Sequence, residues 1–194
     1  MQQLEQFLRE NRLRLKGKVA KGWSSYIYLA ENARGKKFAL KVLREKSNRR
    51  KMAERETDNL RFANSAGVGP KLVKTDFEKN IVLMEFIEGL HFSEWIYSKP
   101  PKKQLEKFLR ALFIQAGKLD SLGLDHGQLQ GRGKNILVTK KGVPVIIDFE
   151  KASTKRKSHN VKVLEAFLYR NPNSELVRKI KEIKEGIAVR QLSK

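Results

Sequence analysis

The chain has no cysteine and little else that is typical of a secreted, membrane-bound or metal-binding protein. Without cysteine it forms no disulfide and has no thiolate for metal binding or nucleophilic attack. Its three histidines, His91, His126 and His159, are far apart and lack zinc-ligand spacing. No apolar run approaches the roughly 20 residues of a membrane-spanning helix, and the first residues show no apolar signal core. We therefore expect a soluble, cytoplasmic protein.

Acidic residues are also scarce, with 21 Asp and Glu against 42 Lys and Arg and a formal net charge of +21. Such an excess favours phosphate-rich partners such as ATP, RNA or anionic membranes. The alternative is a thermophile-like charged surface, although both signs of charge usually rise together there. An apolar fraction of 40% is enough for a folded core, in one large domain or two small ones.

The first half of the chain alternates between helical and strand patterns. Helices are predicted over 2–12 and 47–66. Strands with hairpin turns are predicted within 13–43 and at about 71–76 and 80–86. Together the strands predict one five-stranded antiparallel sheet.

The second half begins at Glu88-Gly89, which breaks the pattern and which we take as a hinge. A first domain then covers 1–87 and a second covers 88–194. The clearest helix is an amphipathic one over 102–122. Two short strands are predicted at 135–138 and 143–147. Two basic helices are predicted within 159–192, separated by a break at Asn171-Pro-Asn. The fold class is α+β and bilobal, with a small, mostly helical second lobe.

A lysine stands at the centre of an apolar strand, Phe38-Ala39-Leu40-Lys41-Val42. Its ammonium group would be costly to bury without an anionic partner. The charged helix that follows offers Glu56 as the preferred partner, with Glu54 and Asp58 as rivals on other faces. The alternative is a lysine that points to solvent from an exposed strand.

The turn between the first two strands reads Ala20-Lys-Gly22-Trp-Ser-Ser25. A glycine there lets the backbone approach phosphate oxygens closely, and a small serine does not obstruct them. Taken alone this signal is weak, because many hairpin turns contain a glycine.

Two oxygen-bearing side chains, Asn135 and Asp148, stand 13 residues apart at the two ends of a predicted hairpin. The start of one strand and the end of its partner lie side by side, so both side chains should meet. Such ligands suit Mg²⁺, which proteins usually hold with few groups of their own plus phosphates. For either residue alone, turn chemistry is the alternative.

Together these residues resemble a small protein kinase in order and spacing. The Lys41 strand resembles the kinase Val-Ala-Ile-Lys strand, and 148–150 reads Asp-Phe-Glu where kinases have Asp-Phe-Gly. The loop His126-Gly-Gln-Leu is similar to that of the RIO kinases and of the small kinase of the KEOPS complex. The resemblance covers about 13–170 and is nearest to a group of minimal archaeal Ser/Thr kinases.

The resemblance implies a site for ATP and Mg²⁺. Asn135 and Asp148 would bind the metal. The residues implied in nucleotide binding are Ala20, Gly22, Ser25, Lys41, Glu56 and Glu85. The candidate catalytic residues are Asp125, Gln128, Asn135 and Asp148.

The catalytic loop departs from the kinase pattern at Gln128, which stands where kinases have an aspartate base. An amide cannot accept a proton from a hydroxyl group, but it can orient a water molecule. Gln128 is also seven residues from Asn135, where kinases have five, and the loop 130–134 between them is basic. Three interpretations stay open: ATP hydrolysis with Gln128 orienting water, phosphotransfer with Asp125 as the base, and nucleotide binding without turnover.

The region after Asp148 shows no long activation segment to seat a peptide, but a basic run over 151–157. An atypical Ser/Thr kinase or ATPase acting on a protein substrate is the leading interpretation. The alternative is an inactive pseudokinase that binds RNA or a ribonucleoprotein, supported by the charge but lacking a recognisable RNA-binding motif or aromatic stacking platform. Small-molecule phosphotransfer is disfavoured by the short second half.

Overall fold

The computed structural model describes residues 2–44, 47, 51–130, 133–171 and 173–186. The chain divides into two compact units. The first unit comprises Met1–Ile87 and Asp148–Ala152, and the second comprises Glu88–Ile147 and Ser153–Lys194. The five residues from Asp148 to Ala152 therefore belong to the first unit, although they follow most of the second unit in sequence.

The first unit is a five-stranded antiparallel sheet with two helices. In chain order its elements are α1 (Gln2–Glu10), β1 (Leu13–Lys21), β2 (Ser25–Asn32), β3 (Lys37–Leu43), α2 (Met52–Ser65), β4 (Leu72–Asp76) and β5 (Ile81–Glu85). The strands lie in the order β1-β2-β3-β5-β4, which confirms the predicted sheet. Residues 48–50 of the predicted second helix lie outside the described residues.

The two faces of this sheet receive alternate residues of each strand. On one face Phe38 and Leu40 of β3 pack with Phe7 of α1 in the core. On the opposite face Lys41, which pairs with Ile27 of β2, turns toward Glu56 of α2. One face is thus closed by α1, and the other carries the lysine singled out in the sequence.

The second unit is mostly helical and contains a small three-stranded sheet. Its elements are β6 (Gly89–His91), α3 (Phe92–Trp95) with a 3-10 turn (Ile96–Ser98), α4 (Lys102–Ser121), β7 (Ile136–Thr139), β8 (Pro144–Ile146), α5 (Asn160–Glu165) with a π-helical turn (Ala166–Arg170), and α6 (Glu175–Glu185). The Phe108 ring of α4 packs on Phe92 and Trp95, with ring centroids 5.1 and 4.9 Å away. None of the described helices has the length and apolar character to cross a bilayer.

Strand β6 was not predicted from the sequence, because Glu88-Gly89 was taken as a hinge. Gly89 pairs with Thr139 of β7, and a Cβ atom at this position would overlap the carbonyl oxygen of Val138. The glycine is therefore explained by the close approach of two strands. Residues 187–192 of the last predicted helix lie outside the described residues.

Candidate active site

Lys41 is buried, with 5% of its surface exposed, and is surrounded by carboxylates of the first unit. Its Nζ atom lies 2.6 Å from Glu56 Oε2, 2.7 Å from Asp148 Oδ1 and 3.6 Å from Glu150 Oε2. The interpretation of Lys41 as a solvent-facing lysine is therefore wrong. Of the three acids considered in α2, Glu56 is the one that contacts it, and both Glu54 and Asp58 are exposed.

The charges in this cluster do not balance, because one ammonium group faces three carboxylates. Burial alone would lower the pKa of Lys41, but the fields of Glu56 and Asp148 outweigh it and raise that pKa. Burial raises the pKa of Glu56, and the neighbouring Lys41 opposes this shift. When all four groups are ionised, the cluster keeps a formal excess of negative charge, which favours the approach of a cation.

Helix α2 fixes the segment Asp148–Ala152 through two side chains one turn apart. Glu56 Oε1 accepts a hydrogen bond from the Phe149 amide at 3.2 Å. Asn59 Nδ2 donates to the carbonyl oxygens of Phe149 and Ala152 at 3.0 and 2.9 Å. Glu56 thus holds both Lys41 and the backbone next to Asp148. Asn59 was missed from the sequence, where one amide in a charged helix carries no signal.

Asp148 combines a left-handed backbone with an accessible side chain. Its φ angle is 67°, a region that Asp and Asn tolerate better than other non-glycine residues. Its side chain is 39% exposed, although one oxygen contacts Lys41. Across the described residues, no group of three or more His, Asp or Glu side chains is arranged to hold a metal ion.

The β1–β2 turn is joined to the Asp148 segment by a residue pair that the sequence did not single out. Ser24 Oγ donates to Glu150 Oε2 at 2.6 Å, and both residues are buried. Gly22 N donates to Ser25 O at 2.8 Å and closes the turn, while Ala20 is exposed on β1. The glutamate in Asp-Phe-Glu, where kinases have glycine, was the available signal for Glu150.

Glu85, predicted to bind nucleotide, uses its side chain within the sheet. Its Oε2 atom accepts a hydrogen bond from the Lys71 amide at 3.2 Å, and its own amide donates to Lys71 O at 2.8 Å. The Glu85 carboxylate therefore secures the start of β4.

In the second unit, Ile147 is held by two of the residues that define the sequence pattern. Its amide donates to Asn135 O at 2.9 Å, and its carbonyl oxygen lies 3.0 Å from His126 Nε2. The Asn135 side chain donates to Gln128 O at 3.0 Å. His126 and Asn135 thus fix the residue that precedes Asp148 in the chain.

A second polar network supports the His126 loop and involves Asn160 and a residue missed from the sequence, Asp120. Asn160 is buried; its Oδ1 accepts from the His126 amide at 2.9 Å, and its Nδ2 donates to Leu124 O at 2.7 Å. Asp120 of α4 accepts from the amides of Asn160 and Val161 at 2.8 and 3.0 Å. Asp120 therefore caps α5 from another helix, a contact that sequence spacing cannot predict.

The two candidates for the catalytic base are placed differently. Asp125 Oδ2 accepts from Arg156 Nε at 2.7 Å, and its Oδ1 accepts from the Gly127 amide at 3.2 Å. Gln128 is half-buried, and its backbone oxygen receives the Asn135 side chain. Residues 131 and 132 of the basic loop lie outside the described residues.

Comparison with known proteins places these features in a family context. The family model described as the RIO domain matches residues 30–167. The KEOPS complex subunit Bud32 of Pyrococcus abyssi is 32% identical over 102 residues, which are 52% of this chain and 44% of that protein. The uncharacterized protein MJ1211 of Methanocaldococcus jannaschii is 38% identical over 77 residues, 40% of this chain and 64% of that protein. The chain thus spans less than two thirds of either relative.

Proposed function

Because the chain belongs to the RIO domain family of atypical kinase-like proteins, we propose that it binds ATP with Mg²⁺ and transfers or hydrolyses the γ-phosphate. The observation that carries this proposal is the buried pair of Lys41 and Glu56 next to Asp148. In protein kinases a strand lysine paired with a helix glutamate contacts the phosphates, and an aspartate holds the metal. A cytoplasmic location belongs to the proposal and fits a chain without cysteine.

The charge of the cluster supports binding of a metal–nucleotide complex over the bare nucleotide. Three carboxylates around one ammonium repel a free polyphosphate. Bound Mg²⁺ would neutralise phosphate charge and stabilise the charge of the transferred group. The exposed carboxylate of Asp148 is the residue of the first unit that would hold the ion. The assignment of Asn135 as the second metal ligand rests on its spacing from Asp148 in the sequence.

Gln128 is the better candidate for orienting the attacking group. The carboxylate of Asp125 is oriented by its two hydrogen bonds, from Arg156 Nε at 2.7 Å and from the Gly127 amide at 3.2 Å. The Gln128 side chain is half-exposed and can orient a water molecule or a hydroxyl group by hydrogen bonding. We therefore favour slow turnover, in which positioning and charge neutralisation provide most of the catalysis.

A protein partner is part of the same proposal. The relative from Pyrococcus abyssi is a subunit of the KEOPS complex. We propose that this chain also works with another protein, either as a Ser/Thr phosphate acceptor or as the partner that ATP binding regulates. The basic run Lys151–Lys157 is a candidate contact, since phosphorylated or acidic chains would be attracted there.

Titration calorimetry with Mg·ATP tests the site directly. We expect Lys41→Met and Asp148→Asn each to weaken binding at least about tenfold, because each removes one full charge from the phosphate or metal contact. Lys37→Met, an exposed change on the same strand, and Asp58→Asn, an exposed change on α2, serve as matched controls. Equal affinity in all five proteins would contradict the proposed site.

Turnover is tested separately with γ-labelled ATP. Release of labelled phosphate that falls in Gln128→Ala and persists in Asp125→Asn would support Gln128 as the orienting residue. The reverse result would restore Asp125 as the base. Binding without any release in the wild-type chain would leave a pseudokinase as the function.

A further inference from the structure

The positive charge of the first unit is concentrated in one part of its sheet. Residues 13–44, which form β1, β2 and β3, contain nine Lys and Arg and one acid, Glu31. In the rest of its N-terminal portion, 2–12 and 45–87, eleven basic residues stand against nine acidic ones. Apart from Lys41, the other eight basic residues are exposed or partly exposed. The excess is therefore local and available to solvent.

Part of this charge gathers around an aromatic ring at the turn end of the β1–β2 hairpin. Lys18 Nζ lies 5.2 Å and the Arg44 guanidinium carbon 5.5 Å from the centre of the Tyr26 ring. Lys21 pairs with Tyr26 across the strands. Arg44 also donates to the carbonyl oxygens of Gly22 and Trp23, at 3.2 and 2.9 Å. We call Lys18, Lys21, Trp23, Tyr26 and Arg44 the hairpin patch.

The hairpin patch is separate from the Lys41 cluster. Tyr26 and Tyr28 are two residues apart on β2 and have their rings 6.2 Å apart, and Tyr28 packs on the α1 side of the sheet. Ile27 pairs with Lys41 and points to the other side. A ligand held by Lys18, Tyr26 and Arg44 would therefore occupy the α1 side, whereas Trp23 lies in the turn that Ser24 joins to Glu150.

Protection of the sheet from aggregation explains part of the hairpin patch but does not explain Trp23. Lysines on an edge strand such as β1 protect a sheet from aggregation, which accounts for Lys18 and Lys21. An indole that is 85% exposed does the opposite, and Arg44 follows β3, an inner strand. Trp23 is two residues from Lys21, and its carbonyl oxygen is bound by Arg44. An exposed ring on such a basic turn offers the stacking surface and the cations that bind single strands.

We propose that the hairpin patch binds single-stranded nucleic acid. Trp23 stacks on a base, while Lys18, Lys21 and Arg44 contact the flanking phosphates. This function goes beyond the proposed ATP site and does not depend on it. It revises the expectation that the aromatic residues provide no stacking surface.

Fluorescence anisotropy with labelled oligo(U) of about 20 nucleotides, longer than the ~4–16 of one site, measures this binding on the full chain. We expect Trp23→Ala to weaken binding about tenfold, within the range for loss of one stacked base. The slope of log K against log salt is negative, and the double change Lys18→Ala/Lys21→Ala should make it shallower by about 1.4, since each phosphate contact in a single strand contributes about 0.7. Oligo(U) should also quench the emission of Trp23 and leave that of the buried Trp95.

Lys102→Ala/Lys103→Ala on α4 is the matched control, because it removes the same charge from two exposed lysines of the second unit. Far-ultraviolet circular dichroism of each variant verifies its fold. Wild-type affinity in this control, with weakened binding in both patch variants, supports the proposal. Equal weakening in the control, no effect of Trp23→Ala, or equal binding of duplex RNA or heparin would each overturn it.

Discussion

Positive charge is paired with carboxylates in one region of the five-stranded sheet and left unbalanced in another. On the α2 side, Lys41 is buried and has three carboxylates within 3.6 Å of its Nζ atom. On the α1 side, Lys18 and Arg44 share one aromatic ring, that of Tyr26. The single acid of β1 to β3, Glu31, alternates with the core residue Ala30 and lies 3.7 Å from a different lysine, Lys16. Positive charge is overcompensated around the buried Lys41 and left in excess around the exposed Lys18 and Lys21.

The difference follows from the cost of desolvation. A buried ammonium group must be paired, so Lys41 is tied to specific acids and contributes to the stability of the unit. Exposed cations keep their hydration, so Lys18 and Lys21 can cluster without partners and respond to salt and to polyanions. A substitution of the buried Lys41 should therefore alter folding as well as ATP binding, and a substitution of Lys18 or Lys21 should alter binding alone.

Lys41→Met gives the largest expected effect, because it leaves buried carboxylates without their cation. Removing one partner of a buried ion pair costs about 3–5 kcal/mol. Urea unfolding followed by circular dichroism should show this loss in the free energy of unfolding. Lys37→Met, exposed on the same strand, should change it by less than about 0.5 kcal/mol. Similar values for the two variants would remove the distinction between the buried and the exposed lysine.

Glu150→Gln gives an intermediate effect and tests the excess of negative charge around Lys41. The variant keeps a hydrogen-bond acceptor for Ser24 but removes one carboxylate from the cluster. We expect ATP affinity without Mg²⁺ to rise about tenfold, because one like charge a few ångströms from the phosphates is lost. The gain should shrink at saturating Mg²⁺. Calorimetry in EDTA and in saturating Mg²⁺ measures the two ATP affinities, and the exposed change Glu78→Gln is the control.

An unchanged affinity of Glu150→Gln in EDTA would show that Glu150 does not face the nucleotide. Its role would then be limited to holding Ser24 and the β1–β2 turn. Lower affinity in both solutions would point to the same structural role.

The smallest effect is expected for the ion pairs at the β4 edge, where partly exposed charges are matched. Burial acts to raise the pKa of Asp76, but hydrogen bonds from Lys79, 2.7 Å away, outweigh it and lower the pKa. Hydrogen bonds from Gln6 and Lys79 lower the pKa of Glu10. The stability from these carboxylates is present above their unfolded pKa values and is lost as the pH falls through the lowered ones.

Urea unfolding between pH 6 and 2.5 should therefore show a shallower loss of stability in Asp76→Asn than in the wild type. Glu78→Asn, an exposed change in the adjacent turn, should leave the slope as it is. A steeper slope in Asp76→Asn would contradict the sign of the shift.

The sequence predicted those parts of the fold whose signal is local. Alternation and turns gave all five strands of the first unit, and the apolar face of 102–122 gave α4 (Lys102–Ser121). Strand β6 was missed because three residues are too short for a period and its partner β7 is about 45 residues away. Gly89 was interpreted as part of a hinge in the chain, whereas the structure explains this glycine by the close approach of the neighbouring strand β7.

The residues of the candidate site also divide into those with a local signal in the sequence and those without one. Lys41, Glu56, Asn135 and Asp148 were named because a lysine in an apolar strand and fixed spacings can be recognised in a sequence. Glu150, Asn59 and Asp120 were missed because their roles depend on contacts between residues far apart in the chain, such as the 126-residue separation of Ser24 and Glu150. Partners of this kind become visible only when the chain is folded.

The left-handed backbone of Asp148 has a consequence for how its importance should be measured. At a φ of 67°, alanine is strained by about 1 kcal/mol, whereas asparagine tolerates the conformation. An alanine scan would add this backbone strain to the loss of the carboxylate and would overstate the chemical share of Asp148. Asparagine tolerates the backbone conformation and keeps an oxygen acceptor for Lys41, so Asp148→Asn measures the loss of the negative charge by itself.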